Sequence, residues 1–439
     1  MNFKVLSLLF LLLSSYSWAQ GIDEDDAPDL FDKTVVHEIR IDSDVPNLWE
    51  KLEKDKAHRD ETLETTYTRA TVTVDGVVYP EAGFRYKGQS SYDFTFGKKK
   101  SLKVDFSKFG KSTKHQGYKM INLLNNFKDP TMLRETIYSD MMQKMGLPAP
   151  LTAFAKVYVN GEYFGLYSIT EQLDDEFCER VFGNSDGNLY KGQPSPSMIW
   201  LDENRVSYLR SYMPKEQGGQ EYFTDLVELL ATIDDPQGRE IPEIEYIHRL
   251  EGLLNTKDVL KAWAVNNFLM NIDAYNMFYQ HNFYMYNNPY SGKWEWISYD
   301  GNYALATWNP KYPLQTLIDF PILYANTEKY PESLVEKMLT IPYYKRMYLD
   351  QYYIMVQWFK LGDWKQEVEA YASLIRDAVY EDKNKETTTN NFEKGRDQHI
   401  GDTLDPGAFV PGLYPFMEER LKSVREQLTK QGYVLPKLK

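Results

Sequence analysis

The spacing of apolar residues changes once along the chain, and that change constrains the fold more than any other feature. Up to about residue 170 the pattern alternates. Val35, His37, Ile39 and Ile41 share one strand face, and the β-branched run 70–79 turns at Asp75-Gly76, a strong hairpin signal. Segments 83–87 and 100–106 read as two more strands, and 155–159 and 164–169 as a pair joined through Asn160-Gly161. One helix interrupts them, with Asp129 as its cap, Pro130 in its first turn and Leu133, Ile137, Met141 and Met145 on one stripe. Beyond this point the period is helical, as in Leu260, Trp263, Ala264 and Phe268, or Met417, Leu421, Val424 and Leu428. Strands first and helices later predict an α+β chain. The expected architecture is two-lobed: an antiparallel β-rich N-lobe with one inserted helix over residues 35–172, and a mainly helical C-lobe over 173–439.

The chain of 439 residues is 42% hydrophobic and 26% charged, which fits a globular protein and not a disordered one. A single cysteine, Cys178, excludes a disulfide framework and a thiolate zinc site. No two of the six histidines have helix-ligand spacing, so a histidine metal site is not expected. A formal net charge of −14 argues against non-specific nucleic-acid binding. Lys4, the short apolar run 5–13 and Ser17-Trp18-Ala19 predict a secretory signal peptide over 1–19, followed by an acidic leader over 20–34. The apolar run is shorter than the roughly 18 residues a membrane span needs. The expected location is secreted, periplasmic or cell-surface, with no membrane span.

Within the helical part a helix ends at Asp273, a polar loop runs to Asn282, and two strands lead to Asp300-Gly301-Asn302. That order is the catalytic layout of a kinase-like phosphotransferase. An aspartate at the start of the loop can orient or deprotonate an attacking hydroxyl. The asparagine and the later aspartate offer hard oxygen donors that suit Mg²⁺ on phosphates. No glycine-rich phosphate loop of the usual kind precedes it, and spacing alone leaves open that Asp273 and Asp300 are ordinary turn residues.

Several segments together resemble the CotH kinase family, the spore-coat-protein-H-like atypical protein kinases. They are FRYKGQSS (84–91), KKSLKVDF (99–106), KDPTMLRETI (128–137), VNGEYFGLYSITEQLDDEF (159–177), NID (271–273), HNFYMY (281–286) and WISYDGN (296–302). The closing segment PGLYPFMEERLKSVREQL (411–428) is also similar. The resemblance implies a kinase-like fold and transfer of phosphate from ATP to protein hydroxyls with Mg²⁺ or Mn²⁺. It implies Asp273 as the catalytic aspartate, and Asp300, Asn282 and Asn302 as metal ligands, with Asn276 as the alternative to Asn282. Lys99 or Lys100 is implied on the nucleotide phosphates, Arg134 on phosphate or beside the lysine, and Glu171 on the adenine side; Asp174 reads as a helix cap. Asn302 stands where the family commonly carries a second aspartate.

Three functions compete at this point. One is an exported protein kinase acting on a protein substrate with exposed hydroxyl residues. Another is a non-catalytic pseudokinase serving as a surface or coat-associated binding protein. The third is a carbohydrate-binding protein, prompted by aromatic clusters such as Tyr275, Phe278 and Tyr279.

Overall fold

The structure is a computed structural model that describes residues 23–194, 196–216, 223–234, 241–307, 312–330, 333–401 and 409–437. The expected signal peptide at 1–19 lies outside the described residues, as does the start of the acidic leader. The chain divides into two compact units. The first comprises the described residues up to Asn125 with Ala153–Ile169 and Glu381–Lys385; the second comprises Asn126–Thr152, Thr170–Tyr380 and Glu386–Lys439.

In the first unit, seven strands close into a barrel in the order β1-β2-β3-β4-β5-β7-β6. They are β1 (Val36–Asp42), β2 (Thr68–Val74), β3 (Val77–Tyr86), β4 (Leu102–Asp105), β5 (Met120–Leu124), β6 (Thr152–Val159) and β7 (Glu162–Glu171). The β2–β3 hairpin turns at Asp75-Gly76 as its sequence predicts, and a bulge between Ala70 and Val72 bends it. Closure comes from β1, which runs antiparallel to β2 and parallel to β6, pairing Val36 with Phe154 and Ile41 with Val159. The expected antiparallel β-rich lobe is therefore corrected to a closed barrel that includes a parallel β1–β6 seam. Closure removes the exposed strand edges that an open sheet would leave. Ile39, Ile41, Val72, Val74, Phe84, Leu102, Val104, Ile121 and Leu123 fill its interior. Helix α1 (Leu48–Thr62) and the one-turn α2 (Ser90–Asp93) join the strands, and Trp49 at the start of α1 stacks on Phe164 with ring centroids 4.7 Å apart.

The second unit holds α3 (Arg134–Lys144), the helix that the sequence places inside the β-lobe. Its first nine residues, Arg134 to Met142, are all buried. The helix starts at Arg134 and not at Pro130, yet Asp129 still caps it: its Oδ2 accepts from the Leu133 and Arg134 amides, each at 2.8 Å. Helix α4 (Asp175–Phe182) packs Phe177 and Cys178 against Leu189, Tyr284, Tyr286 and Ile297. Asp174 occupies the N-cap position of α4, but its side chain makes no capping hydrogen bond.

A four-stranded sheet orders as β11-β10-β8-β9, from β8 (Leu189–Gly192), β9 (Tyr212–Glu216), β10 (Phe283–Asn288) and β11 (Lys293–Ser298). The helices of this unit continue with α5 (Thr224–Asp234), α6 (Glu243–Leu253), α7 (Thr256–Phe268), α8 (Leu314–Ile318) and α9 (Leu334–Thr340). They end with α10 (Pro342–Trp358), α11 (Leu361–Glu381), α12 (Thr389–Lys394) and α13 (Leu413–Lys430). Asn267 of α7 ties three elements: its Oδ1 accepts from Tyr352 Oη and Arg420 Nη2, and its amide donates to Pro321 O. Among the described residues no helix is long and apolar enough to cross a membrane.

Candidate functional site

Helix α7 ends at Phe268, and the chain turns through Met270 in a left-handed conformation before reaching Asp273. Nine residues on, Asn282 is also left-handed, which aims its side chain back at the loop start. Its Nδ2 donates to Asp273 Oδ2 at 2.8 Å and to the Asp273 carbonyl at 3.2 Å. The preceding residue, His281, meets the other oxygen: Nε2 lies 2.8 Å from Asp273 Oδ1. Its Nδ1 lies 3.1 Å from the Pro194 carbonyl. Asp273 is thus held on both oxygens and keeps 17% of its side chain exposed.

Asn276, the alternative ligand, is buried and committed elsewhere. Its Oδ1 accepts from Asn266 Nδ2 and its Nδ2 donates to the Trp263 carbonyl, each at 3.1 Å. The structure therefore brings Asn282, and not Asn276, to Asp273.

Strands β10 and β11 deliver the second aspartate. Tyr299, just past β11, donates its amide to the Asn282 carbonyl at 3.2 Å, so the two loops are joined by backbone. Asp300 has φ 65°, and its carbonyl accepts from Asn271 Nδ2 at 3.1 Å. The next amide, Gly301, donates to Glu135 Oε2 of α3 at 2.7 Å. A Cβ at Gly301 would sit 2.3 Å from Tyr138 Cβ, so only glycine lets this turn lie on α3. Glu135 is the residue that the sequence reading missed; it lies inside the segment LRETI, but only the fold turns it toward Gly301.

The electrostatics agree with one shared neighbourhood. Burial, then Tyr284, then the carboxylates of Asp300, Asp273 and Glu135 push the Tyr299 hydroxyl well above the usual tyrosine range. Burial, Asp273 and Asp300 do the same to Tyr303. At His281, burial works against the charged ring. The hydrogen bond and charge of Asp273, the Pro194 carbonyl and Asp300 overcome it, and the pKa stands above the ordinary histidine value. With acceptors at both ring nitrogens, the imidazolium form is the one the site favours.

The donor set fits a hard divalent cation. Asp273 and Asp300 offer carboxylates, and Asn282 and Asn302 offer amide oxygens. Asn302 Oδ1 is buried and has no hydrogen-bond partner among the described residues, an acceptor that a cation would satisfy. Among the described residues no three His, Cys, Asp or Glu side chains form a metal-binding group. Mg²⁺ is typically bound through one or two carboxylates and phosphate oxygens, and Asp273 and Asp300 are the carboxylates this loop pair offers.

The remaining sequence-predicted residues are engaged internally. Lys99 and Lys100 precede β4, so strand alternation does not set their directions. Lys99 Nζ donates to Asp382 Oδ2 at 2.6 Å, and both side chains are buried. Lys100 Nζ, half-buried, donates to the carbonyls of Tyr92 and Thr95, each at 2.6 Å. Lys103, on β4 itself and paired in register with Asn122, is a third lysine that the sequence reading passed over. Arg134 is no surface residue: fully buried, it donates to Asp129 Oδ1 and to the Pro411 carbonyl, each at 2.6 Å. Glu171 is buried, takes Arg180 on both oxygens and accepts the Leu151 amide. Burial raises its pKa against those partners. Of the aromatic cluster, Tyr275 packs into the core against Trp263, Phe283 and Trp296 and presents no stacking platform.

Residues 84–406 match a family described as CotH kinase protein. The inner spore coat protein H of Bacillus subtilis (strain 168) is 24% identical over 230 residues, covering 51% of this chain and 58% of its own length. The invasin CotH2 of Rhizopus delemar is 25% identical over 198 residues, covering 40% of this chain and 31% of its own length. The chain thus spans less than two thirds of either relative. Among solved structures, the Helicobacter pylori proinflammatory kinase CtkA aligns over 72% of this chain and 92% of its own at 9% identity, with a TM-score of 0.26.

Proposed function

We propose that this chain, which belongs to the CotH kinase protein family, transfers the γ-phosphate of ATP to a protein hydroxyl with the help of Mg²⁺ or Mn²⁺. One observation carries the reading. Asp273, held on both oxygens yet still open to solvent, shares its surroundings with Asp300, whose turn is pinned to α3 through Glu135. Asp273 accepts a hydrogen bond from the substrate hydroxyl and takes its proton as the oxygen attacks the γ-phosphorus. The bond to the ADP oxygen breaks, and its electron pair leaves with ADP. Asp300, Asn302 and Asn282 would hold a divalent cation, which supplies charge neutralisation on the phosphates when bound. The work of the chain's own residues is positioning, and Glu135 and Asn271 fix the Asp300 turn for it.

Lys99 neutralises the buried Asp382 within the barrel unit. Arg134 and Glu171 act by holding α3 and the end of β7, through Asp129 and Arg180. The signal peptide expected over 1–19 supports an exported protein, periplasmic or at the cell surface. One relative named for a spore coat and another named as an invasin support that setting. The pseudokinase reading is kept for one reason, the neutral Asn302 where the family commonly carries an acid.

The test is thermal stability with ATP, with metal and with both, in the wild type and Asp300→Ala. A ligand that binds only the folded state raises the melting temperature. A metal-dependent ATP shift that disappears in Asp300→Ala, with phosphate transfer abolished in Asp273→Asn, is the expected result. A metal-dependent shift with no transfer to any protein hydroxyl leaves the pseudokinase, and no shift at millimolar ATP refutes the nucleotide site.

A further inference from the structure

We propose that His281 is a positioning residue for Asp273: it fixes the carboxylate in the orientation that receives the substrate proton. The proposal rests on the phosphotransfer reading above and adds to it a residue that loop order alone leaves undistinguished from a simple loop hydrogen bond.

The geometry is that of a clamp. A free aspartate side chain rotates about two bonds, and its carboxylate can present any of its lone pairs to a hydroxyl. Here Asn282 Nδ2 takes Oδ2 and His281 Nε2 takes Oδ1, each at 2.8 Å. Two partners on different oxygens define the carboxylate plane. The imidazole is itself fixed. Its Nδ1 faces the Pro194 carbonyl at 3.1 Å, and its face lies within 10° of parallel to the Tyr279 ring, with centroids 5.6 Å apart. Tyr279 in turn carries Lys329 over its other contacts, 4.7 Å from the ring centroid. The ring therefore cannot turn without losing both a hydrogen bond and a stacked neighbour.

The geometry argues against His281 as the base, because its Nε2 already faces the Asp273 carboxylate and its Nδ1 the Pro194 carbonyl, so neither ring nitrogen is open to a substrate hydroxyl. The substrate proton goes to Asp273, the oxygen–phosphorus bond forms, and the bond to ADP breaks.

The experiment compares His281→Phe, which keeps a ring for Tyr279 but removes both nitrogens, with His281→Gln, which restores one N–H. Casein serves as the hydroxyl probe, with Mg²⁺–ATP. The expected result is a loss in kcat of about 10- to 100-fold in His281→Phe, the size of one hydrogen bond to a charged group. KM for ATP, the metal-dependent ATP thermal shift and the melting temperature stay near wild type, and His281→Gln recovers part of kcat. Unchanged kcat in His281→Phe overturns the proposal. So does a fall in kcat that tracks a lost ATP shift or a lowered melting temperature with no recovery in His281→Gln. Wild-type protein that binds Mg²⁺–ATP but transfers nothing overturns the phosphotransfer reading instead, and the positioning role with it.

Discussion

At the scale of single residues, the Lys99–Asp382 pair decides what a lysine of the barrel unit is for. Asp382 is fully buried, and its Oδ2 accepts from Lys99 Nζ at 2.6 Å and from the Leu166 amide at 3.0 Å. Gly165, with φ 142°, leaves the room: a Cβ there would sit 2.6 Å from the carboxylate. Two opposite charges buried together hold each other at little net gain, but removing one leaves the other uncompensated in a dry interior. Lys99→Met is therefore expected to cost about 3–5 kcal/mol of unfolding free energy, read as a lower urea midpoint. Lys99→Met paired with Asp382→Leu should recover much of that loss, because two apolar groups leave no orphan charge. Equal midpoints for wild type and Lys99→Met would show that the pair carries no stability.

At the scale of elements, α11 and α12 are joined by a carboxylate with three donors. Glu393 of α12 takes Arg376 Nε and Tyr380 Oη, each at 2.9 Å, and Arg396 Nη2 at 3.0 Å. Burial opposes its charge, but the hydrogen bonds of Arg376, Arg396 and Tyr380 win and bring its pKa down to about 2 from an ordinary 4.5. The unfolded chain thus binds the proton more tightly. The stabilisation is complete above pH 4.5, and it disappears as pH falls toward 2. Glu393→Gln should lower the melting temperature at neutral pH and flatten its fall across that acid window. An acid limb as steep in the variant as in the wild type would remove Glu393 from the account.

These elements also show what was legible beforehand. The β2–β3 hairpin and the β6–β7 pair were, because Asp75-Gly76 and Asn160-Gly161 signal locally. Strands β8 and β9 were not: β8 is four residues long and takes its pattern from β10, almost a hundred residues away. The β1–β6 seam has the same cause, since no local pattern specifies a parallel partner over a hundred residues on. The site divides likewise. Asp273, Asn282 and Asp300 follow from the order of elements, whereas the Glu135 bond to Gly301 and the choice of Asn282 over Asn276 depend on side-chain directions that only packing fixes.

At the scale of the whole molecule, the charge of −14 bears on substrate choice. A net negative chain with a sequence pI near 5.1 repels acidic proteins and attracts basic ones before any contact forms. That attraction acts on encounter, not on the chemical step, and it is screened within about 8–10 Å at ordinary ionic strength. A hydroxyl-bearing basic protein such as histone should therefore show kcat/KM falling as salt rises from about 0.05 M to about 0.3 M, with kcat at saturation unchanged. Casein, which is acidic, should show kcat/KM level or rising over the same range. The comparison separates two origins of preference. If both substrates respond alike, selection lies in contacts at the phosphoacceptor site, and the net charge serves solubility only. If they respond in opposite directions, the acidic surface itself selects a basic partner, and the Asp273 site needs little sequence readout of its own.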